Sequence, residues 1–201
     1  MNTFDDLGMP FPLYQGPVAH ASVDSAGCCI VCDAESPIRF YEACYNCFRS
    51  GKADHVIDTE FGIVRVEDAA IGMTHGVPRN DPAEVEGYEL IPHPIDANFP
   101  NDKWYHVRIA SDYLFELLRT PAYNTWQGES WRFCCQKPCV FVGSVPAGLL
   151  PDTDLPTVDS ISMWLRSPDW ESTLSNDFGP LTYHVFRCSI CGTIRYHEDV
   201  D

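Results

Sequence analysis

Ten cysteines punctuate this chain, and eight of them fall into four close pairs: Cys29-x2-Cys32, Cys44-x2-Cys47, Cys135-x3-Cys139 and Cys188-x2-Cys191. Cys28 and Cys134 are left over, each beside a paired cysteine. Two pairs closing on one ion make a four-thiolate site, so four pairs predict two zinc ions. Sites of that kind hold folds together more often than they perform chemistry. The cysteines therefore constrain architecture first.

The two pairings differ in how much chain they must close. Cys32 and Cys44 are separated by 11 residues, which suits a local hairpin whose ends meet on one ion. Cys29, Cys32, Cys44 and Cys47 are accordingly assigned to the first site. The second site is assigned to Cys135, Cys139, Cys188 and Cys191. It needs a closure across the 48 residues between Cys139 and Cys188, and Cys134 is an alternative ligand to Cys135. Cys188-Ser-Ile-Cys191-Gly192 has the pattern of a zinc knuckle. The residue after its second cysteine often takes positive φ, which glycine adopts cheaply. In Cys29-Ile-Val-Cys32-Asp33 an aspartate stands there, one of the side chains that tolerate this conformation best. Cys44-Tyr-Asn-Cys47 is read as a similar element.

The remaining composition fits a loop-rich chain. It has 201 residues, 45% of them hydrophobic, with 16 prolines and 13 glycines that disfavour long helices. The expected fold is α+β: small mixed or antiparallel sheets with zinc-ribbon-like knuckles and a few short helices. One domain over 1–201 is expected, with an N-terminal arm and first zinc module in 1–52 and the second site in 53–201. Phe4, Phe11, Leu13 and Tyr14 would pin the arm. Ser111 is placed as the cap of a helix whose apolar face is Leu114, Leu117 and Leu118, stopped by Thr120-Pro121. Weaker helical patterns run from Pro82 to Tyr88 and from Val158 to Arg166. Strands are expected around Trp131, Phe133 and Val140–Val142, over Thr182–Phe186, and over Thr193–His197.

Charge narrows the partners. Thirteen Lys and Arg face 29 Asp and Glu, a net −16, and two four-thiolate zinc sites would add −2 each. Residues 51–100 carry about −7 and residues 152–201 about −6. Nucleic-acid affinity comes largely from neutralising phosphates, so direct binding of DNA or RNA is not expected. A basic partner would be attracted. A catalytic zinc needs an open coordination position, which four cysteines do not leave. The chain has no His-Glu-x-x-His, Gly-x-Ser-x-Gly or phosphate-loop pattern, and its seven histidines show no i, i+4 pair. No apolar run approaches a bilayer span, and the first residues lack the basic and apolar regions of a secretory signal, so no membrane association and a cytoplasmic location are expected.

Three blocks together resemble the CbrC family of bacterial zinc-binding proteins, some of which are associated with tolerance to nuclease colicins. They are Phe11-Pro-Leu-Tyr14 through Cys44-Tyr-Asn-Cys47 and Asp58-Thr-Glu-Phe61; Thr120-Pro-Ala-Tyr-Asn-Thr-Trp-Gln-Gly-Glu-Ser-Trp131 with Cys135-x3-Cys139 and Phe141-Val-Gly143; and Phe186-Arg-Cys-Ser-Ile-Cys-Gly192. The connection between the first cysteine pairs is shorter here than the family pattern, and residues 86–107 look longer. The resemblance supports two cysteine sets and implies no catalytic residue. It points to an immunity or tolerance protein, not an enzyme, that neutralises a basic protein toxin, a nuclease by first expectation. The acidic surface would mimic phosphate, with Asp81, Glu84, Glu86 and Glu89 as candidate contacts. The alternative is a zinc-dependent enzyme or thiol-redox protein using Cys28 or Cys134; a regulatory adaptor for another basic protein is a third reading.

Overall fold

Aromatic side chains fix the first forty residues, where proline and glycine leave little regular structure. In the computed structural model, which describes residues 2–57, 64–74, 77–78, 87–94, 104–146 and 181–200, Phe4, Phe11 and Tyr14 are each at most 2% exposed. Phe4 and Phe11 pack edge-on with ring centroids 5.1 Å apart, and both contact Phe40. Phe40 stacks in turn on Phe48 at 5.2 Å. Each buried ring contributes roughly 1.5–3 kcal/mol, so this cluster can order an arm that makes few ladder hydrogen bonds. Leu13 is only partly buried.

Very short strands follow from the dense turns. β1 (Gly27–Cys28) pairs with β2 (Glu35–Ser36), and β3 (Arg39–Phe40) pairs with β4 (Ala43–Cys44). Tyr41 and Glu42, both at positive φ, make the two-residue connection between β3 and β4. Cys44 then caps α1 (Tyr45–Arg49). α2 spans Val66–Ala70, a helix that the acidic, interrupted sequence of that region did not suggest. β5 (Val77–Pro78) and β6 (Leu90–Pro92) flank β7 (Trp104–Val107) in an antiparallel sheet.

α3 is the expected helix, Ser111–Leu118, and it buries Leu114, Leu117 and Leu118. Its cap differs from expectation. Ala110 occupies the N-cap, and Ser111 is the first helical residue, its hydroxyl donating to the Ala70 carbonyl at 3.4 Å. The contact with α2 therefore takes the hydroxyl that a cap would have used. Two part-buried arginines lock α1 and the turn after it to α3: Arg49 grips Glu116 through both carboxylate oxygens, and Arg119 grips Asp54 likewise.

β8 (Phe133–Cys134) and β9 (Lys137–Pro138) form a minimal hairpin, and the longest strands follow. β10 (Val140–Pro146), β11 (Leu181–Arg187) and β12 (Ile194–Val200) make an antiparallel sheet in that order. A bulge at Val142 shifts the β10–β11 register between Phe141 and Gly143. Tyr14 of the arm packs on Phe141 at 4.8 Å, and Phe141 stacks on Tyr123 at 5.1 Å. Gly16 permits this approach, because a Cβ there would stand 2.8 Å from the Phe141 ring. The described residues thus form an α+β structure of small antiparallel sheets, few helices and many loops. No helix among them is long and apolar enough to cross a membrane. The helical patterns over 82–86 and 158–166 lie outside the described residues, and Gly87–Tyr88 are not helical.

Candidate metal centres

Both cysteine groups are built on the same turn. After Cys29, the Asp33 N–H donates to the Cys29 carbonyl at 2.9 Å and the Val31 N–H points at the Cys29 sulfur at 3.4 Å. After Cys188, the Gly192 N–H donates to the Cys188 carbonyl at 3.0 Å and the Ile190 N–H points at the Cys188 sulfur at 3.4 Å. Each turn is closed by the N–H of its first cysteine, to Ala34 in one case and Thr193 in the other. Asp33 and Gly192 occupy equivalent left-handed positions at φ 58° and 74°. A Cβ on Gly192 would meet nothing within 4 Å, so Gly192→Ala carries only the backbone cost. Denaturant unfolding should show a loss of about 1 kcal/mol with zinc content unchanged.

The second halves of the two sites differ. Cys44 and Cys47 are not a knuckle: Cys44 is the N-cap of α1 and Cys47 lies in its first turn. The chain reverses through the β3–β4 hairpin, so the start of α1 faces the Cys29–Cys32 turn, and Ile30 N–H bonds the Glu42 carbonyl to fix that approach. The sulfurs of Cys29, Cys32, Cys44 and Cys47 all lie within 4.8 Å of one another, with Cys32 and Cys44 at 3.8 Å.

At the second site the structure corrects one expected ligand. The group is Cys134, Cys135, Cys188 and Cys191, again within 4.8 Å, and Cys139 is not in it. Cys135 and Gln136, at φ 52° and 60°, are the two-residue turn between β8 and β9. The register Cys134↔Lys137 and Phe133↔Pro138 carries the chain back along the hairpin. Cys139 therefore ends opposite Arg132, its N–H donating to the Arg132 carbonyl at 2.8 Å. It is fully buried, and its carbonyl accepts from the Trp131 indole at 2.9 Å. Cys134 takes its place at 3.6 Å from Cys191. The site joins the β8–β9 hairpin to the turn between β11 and β12.

The donor chemistry fits zinc. A Zn–S bond of about 2.3 Å in a tetrahedron sets neighbouring sulfurs about 3.8 Å apart, close to the 3.6–3.9 Å spacings here. A disulfide would need about 2.05 Å, and none of the ten cysteines is bridged. Burial opposes a charge on Cys29, but N–H groups of Cys44, Val31 and Cys32 outweigh it and bring that thiol to about 6. Thr193 does the same for Cys191, also to about 6. Burial and the other thiols push Cys47 and Cys134 up to about 12. The surroundings thus favour ionisation at Cys29 and Cys191 and oppose it at Cys47 and Cys134, where a bound cation would supply the missing charge.

Residues 10–200 match the model of a family described as Uncharacterised protein family (UPF0167). The chain belongs to that family. No curated protein and no solved structure matches this UPF0167 chain.

Of the carboxylates expected as partner contacts, Asp81, Glu84 and Glu86 lie outside the described residues. Glu89 is exposed but pairs with Arg108 at 3.0 Å. Cys28 is exposed on β1 and belongs to neither thiol group.

The sequence reading gave no role to a buried polar chain beneath the β10–β12 sheet. His184 is 0% exposed, with its Nδ1 2.8 Å from the Ser144 hydroxyl and its Nε2 3.2 Å from Asp199. Burial works against charge on Asp199, but the Trp126 N–H, His184 and the Thr125 side chain hold its carboxyl below the usual range, and the Gln127 N–H also donates to it at 3.0 Å. Asp199 is thus an acceptor, so His184 Nε2 carries the proton and Nδ1 accepts from Ser144. The Ser144 N–H donates to His20 Nδ1 at 2.9 Å, and His197 Nδ1 meets the Tyr123 hydroxyl at 3.0 Å. Ser144 and Asp199 are each 1% exposed, so the serine hydroxyl does not meet solvent. Strand alternation could have placed His184 inward with Thr182 and Phe186, but not its partners.

Proposed function

We propose that this chain is a non-catalytic binding protein of the bacterial cytoplasm that neutralises a basic protein toxin, a nuclease in the first instance. Its two zinc sites are scaffolding. Charge carries the reading: the net −16 leaves the surface with far more carboxylates than its cations can pair. At the outer end of the first site, Asp33, Glu35 and Glu42 are all exposed on or beside the knuckle and hairpin turns. Arg39, on β3 beside them, has its guanidinium engaged in donating to the Ser25 and Cys28 carbonyls. A filled four-thiolate site adds −2 beneath those carboxylates. That end of the molecule is the better candidate for contact than Glu89, whose charge Arg108 already meets. The resemblance to the CbrC family supplies the toxin class.

The test is co-expression with nuclease toxins, reading growth, and association kinetics with any toxin neutralised. Rescue is expected, with an association rate that falls at least about tenfold between 20 and 300 mM salt. D33N/E35Q/E42Q should slow association and flatten that dependence. A salt-independent rate, or rescue unaffected by the triple variant, counts against electrostatic capture at this face.

A further inference from the structure

The eight clustered thiols are not equally protected. Hydrogen bonds hold much of a thiolate's negative charge and are lost as its sulfur forms a bond to carbon, so a sulfur with N–H or O–H partners is a poorer nucleophile. Cys29 and Cys188 receive the knuckle N–H groups at 3.4 Å. Cys32 takes a backbone bond from Ala34, and Cys191 has the Thr193 hydroxyl at 3.1 Å. Cys47 is buried, while Cys44 and Cys134 are half-buried. Cys135 differs. It is exposed at the tip of the β8–β9 turn, and among the described residues its sulfur is engaged by neighbouring thiols alone.

Cys135 also lines a cavity of about 730 Å³ between that turn, the start of α3 and residues 87–89. This volume accommodates a small ligand. Tyr88, Arg108, Ser111, Tyr113 and Lys137 line it with Cys135. Lys137 sits over the Tyr113 ring at 4.7 Å, so a cation belongs to the same cavity lining as the sulfur.

We infer that Cys135 is an alkyl-acceptor thiolate, and that the cavity beside it admits small, soft carbon electrophiles. A zinc ion held by Cys134, Cys135, Cys188 and Cys191 would have Cys135 as a ligand thiolate. In the step, the Cys135 sulfur gives an electron pair to an sp3 carbon, a C–S bond forms, and the carbon's bond to its leaving group breaks. The leaving group departs with those electrons, and no oxidant or proton is needed. This inference stands apart from toxin binding and survives the failure of that reading.

The test uses the full zinc-loaded chain carrying Cys28→Ser, which removes the exposed thiol outside the clusters. Limiting iodoacetamide is the probe, with iodide as the leaving group. Adducts are located by peptide mass spectrometry, and zinc is counted on the intact adduct by native mass spectrometry. Cys135 should be modified at least about tenfold faster than any of the other seven clustered thiols, on chains that still hold two zinc ions. Exposed Cys32 and Cys191 are the internal controls. Adducts spread evenly over the clusters, a first adduct at Cys32 or Cys191, or modification confined to chains that have lost zinc would each overturn the assignment.

Discussion

Cys134→Ser protein should carry one zinc ion per chain where the wild type carries two, and Cys139→Ser protein should carry two. The contrast follows from the β8–β9 register, which sends Cys134 to the thiol group and Cys139 to the core. Structural zinc contributes on the order of 10 kcal/mol of coupled folding free energy. A domain's whole net stability is about 5–15 kcal/mol. Loss of the second ion should therefore leave β8, β9 and the β11–β12 turn unfolded or nearly so at 25 °C. Cys139→Ser instead places a hydroxyl in a fully buried site, a loss of about 1–3 kcal/mol with the metal retained. Elemental analysis of the purified variants, with thermal melts before and after chelator, separates the two. One zinc in Cys139→Ser, or two in Cys134→Ser, would return Cys139 to the ligand set.

Spacing revealed the first site because its information is local. A Cys-x2-Cys turn closed by Asp33, and a partner pair 11 residues on, leave one economical geometry. Even there, spacing could not tell a second knuckle from the first turn of a helix, since both present cysteines three apart on one side. The second site failed at a different level. Cys135-x3-Cys139 looks like a pair, but a positive φ at both Cys135 and Gln136 makes a two-residue hairpin turn. A turn that tight puts adjacent residues, not residues four apart, at its tip. Neither residue is glycine, so nothing in the composition marked the turn. The helix over Ser111–Leu118 was visible from its leucines, whereas its cap was decided by contact with α2. The buried histidines were visible as residues and invisible as a network, because His20, His184 and His197 come together only through the sheet.

That network makes the fold acid-sensitive in a way zinc alone would not. Burial lowers His20 to about 3, with His184 adding to the effect. It lowers His184 to about 4 against the opposing pull of Asp199. Burial, Arg132 and His184 bring His197 to about 3. Each histidine is neutral in the folded protein and takes a proton in the unfolded chain near pH 6.5. Their folded values are depressed, so the unfolded state binds more protons below pH 6.5, and stability falls as pH falls. The slope is at most about 1.4 kcal/mol per pH unit for each histidine, or about 2 kcal/mol each between pH 7 and 5. Three together could remove about 6 kcal/mol, much of the stability of an ordinary domain. Asp199 adds its own loss only nearer pH 4, where the unfolded carboxylate begins to protonate. Thiolate protonation also weakens zinc binding in acid, so the comparison must hold metal constant. His197→Gln keeps an acceptor for Tyr123 and both cysteine groups but removes one titrating ring. Between pH 7 and 5 its stability, from denaturant midpoints, should fall by about 2 kcal/mol less than that of the wild type. Parallel losses in the two proteins would assign the acid sensitivity to the metal sites and clear the histidine.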